Sequence, residues 1–405
     1  MSSPPPARGH VAALDGVRAV AAVAVVLTHV GFLTGATGPS MTGALAARLD
    51  VGVALFFALS GLLMLRPWIS TAAGDRPTAP GLGDYTRKRA ARILPAYWLV
   101  AAFVLLLEAA GAFSADFTTP ADVTWRTVAE HLTITQGYTG RYLSSFSQTW
   151  SLTTEVTFYV AVPVIGALLV RACRRAPGRP ERLVLMQRWC AVVVVLGVST
   201  AAFCASDLPG STSTLDRSLL GHCAWFAAGA WVGARSMRSN VRAPRWGAVD
   251  QIGLAGVLLV LAASPAGGSL LFERGAPWQA GLRELLYTAI AALVVSAAVT
   301  PGSQSVAVRF LSSAPLTWLG ERSYAIFLWH LPILFGIMTL LRLNLFEGSF
   351  VVIGLLTLGC SALVADLSWR LLERPVLAAS TRRSQARHQQ RKDEQAARLG
   401  DDRQQ

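Results

Sequence analysis

Apolar windows of roughly twenty residues recur along this chain, separated by short polar segments, and each window is long enough to cross a bilayer as a helix. Ten are readable, at 11–33, 51–66, 92–112, 152–172, 188–205, 218–235, 249–266, 282–300, 316–341 and 350–372. The second and fifth are short, and no repeat of fixed period is visible. The pattern predicts an all-α protein, a polytopic membrane helix bundle of about ten transmembrane helices. A Pro-rich leader, 1–10, precedes the membrane domain, 11–375, and a charged tail, 376–405, follows it. With almost no large apolar residues, that tail reads as disordered or lying on the surface. The first window is too long for a cleavable signal peptide and lacks a small-residue cleavage pattern.

Composition agrees with the pattern. Of the 405 residues 53% are apolar and 15% charged, against roughly 25% charged in soluble domains. The net charge of +13 invites a nucleic-acid reading, but the basic residues lie in short clusters between apolar windows, which excludes it and leaves membrane lipids as the partner. The clusters alternate. Segments 66–92, 171–188 and 235–245 and the tail are rich in arginine, whereas the intervening connections carry one or two each. Lysine and arginine are retained on the cytoplasmic side, so both termini are expected to be cytoplasmic and the number of spans even. Only two of the 36 basic residues are lysines, Lys88 and Lys392, a bias of high-GC bacterial genomes that points to a bacterial cytoplasmic membrane. The five cysteines have no metal-like spacing, and no metal site is expected. Cys204 and Cys223 flank one short loop and are the best disulfide candidates. The longest outer connection, 113–149, holds Trp125, His131 and Tyr138.

Ionisable residues inside apolar windows are costly and mark candidate chemistry. Arg18 and His29 lie eleven residues apart on the first window, on one face and roughly 16 Å apart along the axis at 1.5 Å per residue. Arg89 and Arg92 share a face just before the third window and present a fork that grips phosphate. Glu155 lies about one turn inside the fourth window, at the depth expected for His29, so the two are expected to pair, with Glu155 orienting His29 as a general base. Trp150 and Tyr159 flank Glu155. His330 is the other histidine deep in a window. Gly52, Ala54, Ala58 and Gly61 make a small-residue face for close helix packing, beside a Ser60 expected to bond to its own helix. Pro375 is expected to end the last helix and Glu373 to pair an arginine.

Together these segments resemble the acyltransferase-3 superfamily of integral membrane O-acyltransferases. The resemblance rests on Leu14-Asp15-Gly16-Val17-Arg18 with His29, Phe56-Phe57 to Ser60-Gly61, Arg89 to Arg92 with Ile93, Pro95 and Tyr97, Trp150-Ser151-Leu152 with Glu155, Phe158 and Tyr159, Ser323-Tyr324 with Leu328-Trp329-His330, and Leu372-Glu373-Arg374-Pro375. It covers about 14 to 375. It implies transfer of an acyl group, often acetyl, from acyl-CoA as donor substrate to a hydroxyl of an envelope glycan, a glycolipid or a macrolide-type sugar, with no bound cofactor. His29 then matches the catalytic histidine and Arg18, Arg89 and Arg92 the donor contacts, while Glu155 and His330 match further functional positions. One departure stands out. Many members carry an acidic residue two before the Phe pair, where this chain has Ala54, and Asp50 lies in a different register. No soluble esterase-like domain is read after Pro375, so the stand-alone form is expected. The rival reading is a proton-coupled transporter with Arg18, His29, Glu155 and His330 as a relay.

Overall fold

The first helix, α1 (Ala12–Leu33), is built almost wholly of alanine, valine and leucine and buries most of its length. Small residues decide where it packs. A Cβ on Gly16 would lie 1.9 Å from the Leu311 carbonyl oxygen, and one on Gly320 would lie 2.0 Å from that of Asp15. These close approaches seat α1 against α13 (Val306–Leu311) and along α14 (Ala314–Leu340), and the first explains why glycine follows Asp15. The structure is a computed structural model and describes residues 12–113, 123–238, 246–270, 275–300 and 305–382. The leader and the tail beyond 382 lie outside the described residues.

After α1 come the short α2 (Met41–Ala47), then α3 (Val51–Ala73) and α4 (Leu82–Ala109). The described part of the next connection, 123–149, folds onto the bundle as α5 (Trp125–Thr133), α6 (Gln136–Thr139) and a 3₁₀ segment, Ser144–Thr149. The remaining helices are α7 (Trp150–Cys173), α8 (Arg179–Cys204), α9 (Ser213–Asp216), α10 (Cys223–Ser236), α11 (Ala248–Ala263), α12 (Pro277–Val299), α13 (Val306–Leu311), α14 and α15 (Phe350–Ser368). Among the described residues there is no strand.

Eight helices are long and apolar enough to cross a membrane, and the chain is a multi-pass membrane protein. The sixth and seventh expected spans appear as α10 and α11, with 14 and 16 residues. At 1.5 Å per residue those reach roughly 21 and 24 Å, short of the ~30 Å hydrocarbon core. For α10 the reason is its surroundings: α3, α8 and α12 enclose it, so it need not match bilayer thickness. The expected ten helical segments are therefore present, two of them short.

The small-residue face on α3 does what small residues do in membranes. A Cβ on Gly61 would lie 2.0 Å from the Phe226 carbonyl oxygen, and one on Gly229 would lie 1.8 Å from that of Ala58, so α3 and α10 run backbone to backbone. Peripheral helices differ. On α7, α8, α11 and α15 large apolar residues such as Leu168, Val195, Val257 and Leu363 point outward, a surface suited only to lipid.

Two expectations about chain segments are corrected. Pro375 does not end the last helix: a π-helical turn, Trp369–Glu373, precedes it and helix continues to 382. The wider turn offsets the proline's missing N–H and ring clash, which in a regular helix break the ladder. Glu373 is buried and accepts a hydrogen bond from Ser368 (3.3 Å) where an arginine partner was expected. The cysteines, including Cys204 and Cys223, are free thiols.

Candidate functional site

Two cavities open toward opposite ends of the bundle and share one wall residue, Val53 of α3. The first, about 350 Å³, is lined by Arg18, Arg89 and Arg92 together with Ser60, Glu155, Tyr159 and Tyr324. The three arginines expected to meet the donor thus converge from α1 and α4. Arg18 is held by Asp15 at 2.5 Å, one turn earlier on the same helix. One proline shapes the wall. Pro163 leaves the Tyr159 carbonyl without its helical donor, and the Tyr85 hydroxyl donates to it at 2.9 Å. This ties the basic segment of α4 to α7. Tyr324 likewise donates to the Ile93 carbonyl at 3.0 Å.

Glu155 is not where the pairing argument put it. Its carboxylate accepts from the Ser60 hydroxyl, and from the Tyr159 hydroxyl at 2.5 Å. The expected His29–Glu155 pair is absent, and Ser60 bonds across helices, not to its own. Equal depth was the wrong criterion: two hydroxyls within reach satisfy a carboxylate as well as an imidazole does, and α3 lies between them.

His29 instead meets His330, whose Nε2 lies 3.3 Å from His29 Nδ1. Each Nδ1 also faces a backbone carbonyl, Val25 for His29 and Phe327 for His330, both at 2.7 Å. Carbonyls only accept, so the partners assign a proton to each Nδ1. His330 Nε2 is then an acceptor toward His29, and His29 Nε2 keeps a free lone pair. Pro332 supports this arrangement. It leaves the Leu328 carbonyl without a helical donor, and buried Gln148 donates its amide there at 3.1 Å. His330 is fully buried, and the α1–α14 contact brings the two rings together with centroids 5.1 Å apart.

The second cavity, about 270 Å³, is lined by His29, Thr28, Phe32, Asp50 and Trp150. Trp150 and Tyr159, both expected to contact substrate, therefore serve different cavities. Asp50 was set aside in the sequence because it is out of register. It precedes Ala54 by four residues, on the same face of α3, and accepts a hydrogen bond from Tyr287. No sequence signal marks it, since Tyr287 is 237 residues away. Arg48, though buried, is fully committed: its guanidinium donates to the carbonyls of Ala262, Gly267, Gly268 and Ser269 at 2.8–3.1 Å and closes the end of α11.

The 125–149 segment caps this end. His131 is buried, with its Nδ1 on the Thr127 carbonyl at 2.8 Å. Tyr97 donates to the His131 carbonyl at 2.7 Å, and Gln136 bridges Tyr97 and Thr149 at 3.2 and 3.0 Å. Burial holds the His131 imidazole below its ordinary pKa. Among the described residues no cluster of three or more His, Cys, Asp or Glu is placed to hold a metal ion.

A family model described as an acyltransferase domain matches residues 11–366. The chain is 23% identical over 391 residues to the peptidoglycan O-acetyltransferase of Listeria monocytogenes, covering 91% of this chain and 56% of that protein. To an O-acetyltransferase of Staphylococcus aureus it is 22% identical over 382 residues, covering 90% and 56%. The chain thus spans about half the length of these relatives. No solved structure matches it.

Proposed function

The chain belongs to the acyltransferase-3 family, and from that premise we propose that it transfers an acetyl group from acetyl-CoA to a hydroxyl of an envelope glycan, with His29 as general base. One observation carries the reading: the arginine-lined cavity and the His29 cavity share the Val53 wall, so donor and acceptor reach one point from opposite ends. Because Arg89 and Arg92 belong to an arginine-rich segment, positive-inside retention puts the first cavity on the cytoplasmic side. Acetyl-CoA is chosen as donor because three guanidiniums suit its phosphates and the cytoplasm supplies it. A glycan is favoured over a glycolipid or macrolide-type sugar because the Listeria monocytogenes relative is a peptidoglycan O-acetyltransferase by name.

The chemistry follows from the hydrogen bonds. CoA phosphates rest on Arg18, Arg89 and Arg92, and Glu155 is placed to accept from an amide N–H of the pantetheine arm. The acceptor hydroxyl gives its proton to His29 Nε2 as its oxygen attacks the thioester carbon. The C–S bond breaks and the thiolate leaves as CoA, recovering the proton from the imidazolium. During the step the charged His29 ring is stabilised through Nδ1–H, shared between the Val25 carbonyl and His330 Nε2. His330 is thus a positioning residue. A proton-relay transporter fits less well, because Glu155 is engaged by two hydroxyls in a different cavity from His29. The test is transfer of labelled acetyl from acetyl-CoA to glycan by purified protein in nanodiscs. Wild type is expected to transfer and His29→Ala not to; equal transfer by both would refute the reading.

A further inference from the structure

A third cavity, about 370 Å³, lies beside the His29 cavity and shares Ala47, Asp50, Val53, Trp150 and Leu270 with it. We infer that this chamber is the acceptor subsite and holds a pyranose ring of a neutral or weakly anionic glycan against Trp150, with hydrogen bonds to Arg283, Glu284 and His222. The inference rests on the acyl-transfer reading above and adds to it where and how the acceptor binds.

Three buried polar atoms on this wall have no hydrogen-bond partner among the described residues: His222 Nδ1, Glu284 Oε1 and Trp225 Nε1. Their residues are 9%, 5% and 5% exposed. Buried polar groups are paired in roughly nine cases of ten, so three orphans at one cavity point to a ligand that pairs them. His222 Nδ1 and Glu284 Oε2 are 3.6 Å apart, too far for a good hydrogen bond. Arg283, partly exposed, has no hydrogen bond or ion pair among the described residues, and Asp216 has no side-chain partner.

Charge narrows the ligand class. Asp50, Asp216 and Glu284 face Arg48, Arg217 and Arg283 across one chamber, and Arg48 also donates to backbone carbonyls. A simple anion meets three carboxylates and a simple cation meets three guanidiniums. An apolar chain leaves every orphan unpaired. Hydroxyls both donate and accept, so a polyol satisfies both signs at once. The aromatic wall supplies the flat face: Trp150 and His222 lie 5.3 Å apart, and His222 stacks on Trp225 at 4.0 Å and 19°. Such a face packs against the apolar side of a sugar ring. The volume lies within the range of small-ligand pockets, and continuity with the His29 cavity brings a ring hydroxyl toward the base.

The experiment is calorimetric titration of nanodisc-embedded protein, without donor, using stem-free N-acetylated tetrasaccharides cut from bacterial cell-wall glycan. The protein is wild type, Arg283→Ala and Glu284→Gln, each checked for an unchanged thermal midpoint. Arg283 has no hydrogen bond or ion pair among the described residues to lose, so its variant keeps the test valid if Glu284→Gln fails to fold. We expect glycan binding by wild type and at least tenfold weaker binding in either folded variant, with acetyl-CoA binding within twofold of wild type. No glycan binding by wild type, or wild-type affinity in every folded variant, would overturn the subsite. Glycan binding lost in the variants, with no transfer by wild type, would refute acyl transfer and leave the subsite standing.

Discussion

The two ends of the bundle solve opposite problems. At the arginine end, three guanidiniums converge on one cavity and only Arg18 carries a carboxylate partner beside it. At the other end, carboxylates, guanidiniums, an imidazole and two indoles face one chamber. A mainly positive lining, with Glu155 as its one carboxylate, suits a multiply charged phosphate ligand, which brings its own counter-charge. A mixed lining suits a ligand of hydroxyls. The difference teaches that the His29–His330 contact sits at a divide between two recognition chemistries, not at the centre of one.

The largest effect that can break this comparison is loss of the base. His29→Ala should lower transfer roughly 10²–10⁴-fold at normal protein level and with unchanged binding of acetyl-CoA, measured as labelled acetyl on glycan. Retained turnover would move the chemistry elsewhere. Next is His330. Removing its Nε2 acceptor leaves a charged ring less stabilised, worth about 1–3 kcal/mol or roughly ten- to hundredfold in kcat. Its effect should fall on kcat and shift the pH profile, with KM for both substrates preserved; a pure KM effect would make it a packing residue.

Arg89→Ala and Arg92→Ala should weaken donor affinity by tenfold or more, since a charge-assisted contact contributes about 1.5–3 kcal/mol. Lysine at either position should recover only part, because it lacks the planar fork. Unchanged donor KM in inserted protein would reduce these arginines to topology signals. Smaller still is the acid response of the 125–149 cap. His131 has its pKa lowered by burial, so the folded cap favours the neutral ring and the unfolded segment binds the extra proton. The cap's stability is complete above the ordinary imidazole pKa and falls as pH drops through it toward the folded value. Hydrogen exchange at α5 should quicken across that window, and His131→Phe should flatten the response.

Much of the arginine end was legible in the sequence because its residues come from short, local patterns. Arg89 and Arg92 are one turn apart, and Arg18 follows a glycine whose close packing the structure explains. The helical segments and the two candidate histidines, His29 and His330, were also readable, since an ionisable group inside an apolar window is conspicuous. The His29–His330 contact was not. It depends on α1 lying along α14 across 301 residues of chain, and depth alone favoured Glu155. Asp50, Glu284, Arg283 and His222 were invisible for the same reason: each is an ordinary polar residue near the end of an apolar window until the bundle places it. The corrected Pro375 shows a local limit too, because a π-helical turn leaves no residue signature of its own.

In the proposed reaction donor and acceptor reach His29 from opposite faces of the membrane. Sealed inside-out vesicles given labelled acetyl-CoA outside and glycan only within the lumen test this. Label on lumenal glycan that depends on His29 is the expected result. Label confined to glycan added on the same side as acetyl-CoA would contradict it.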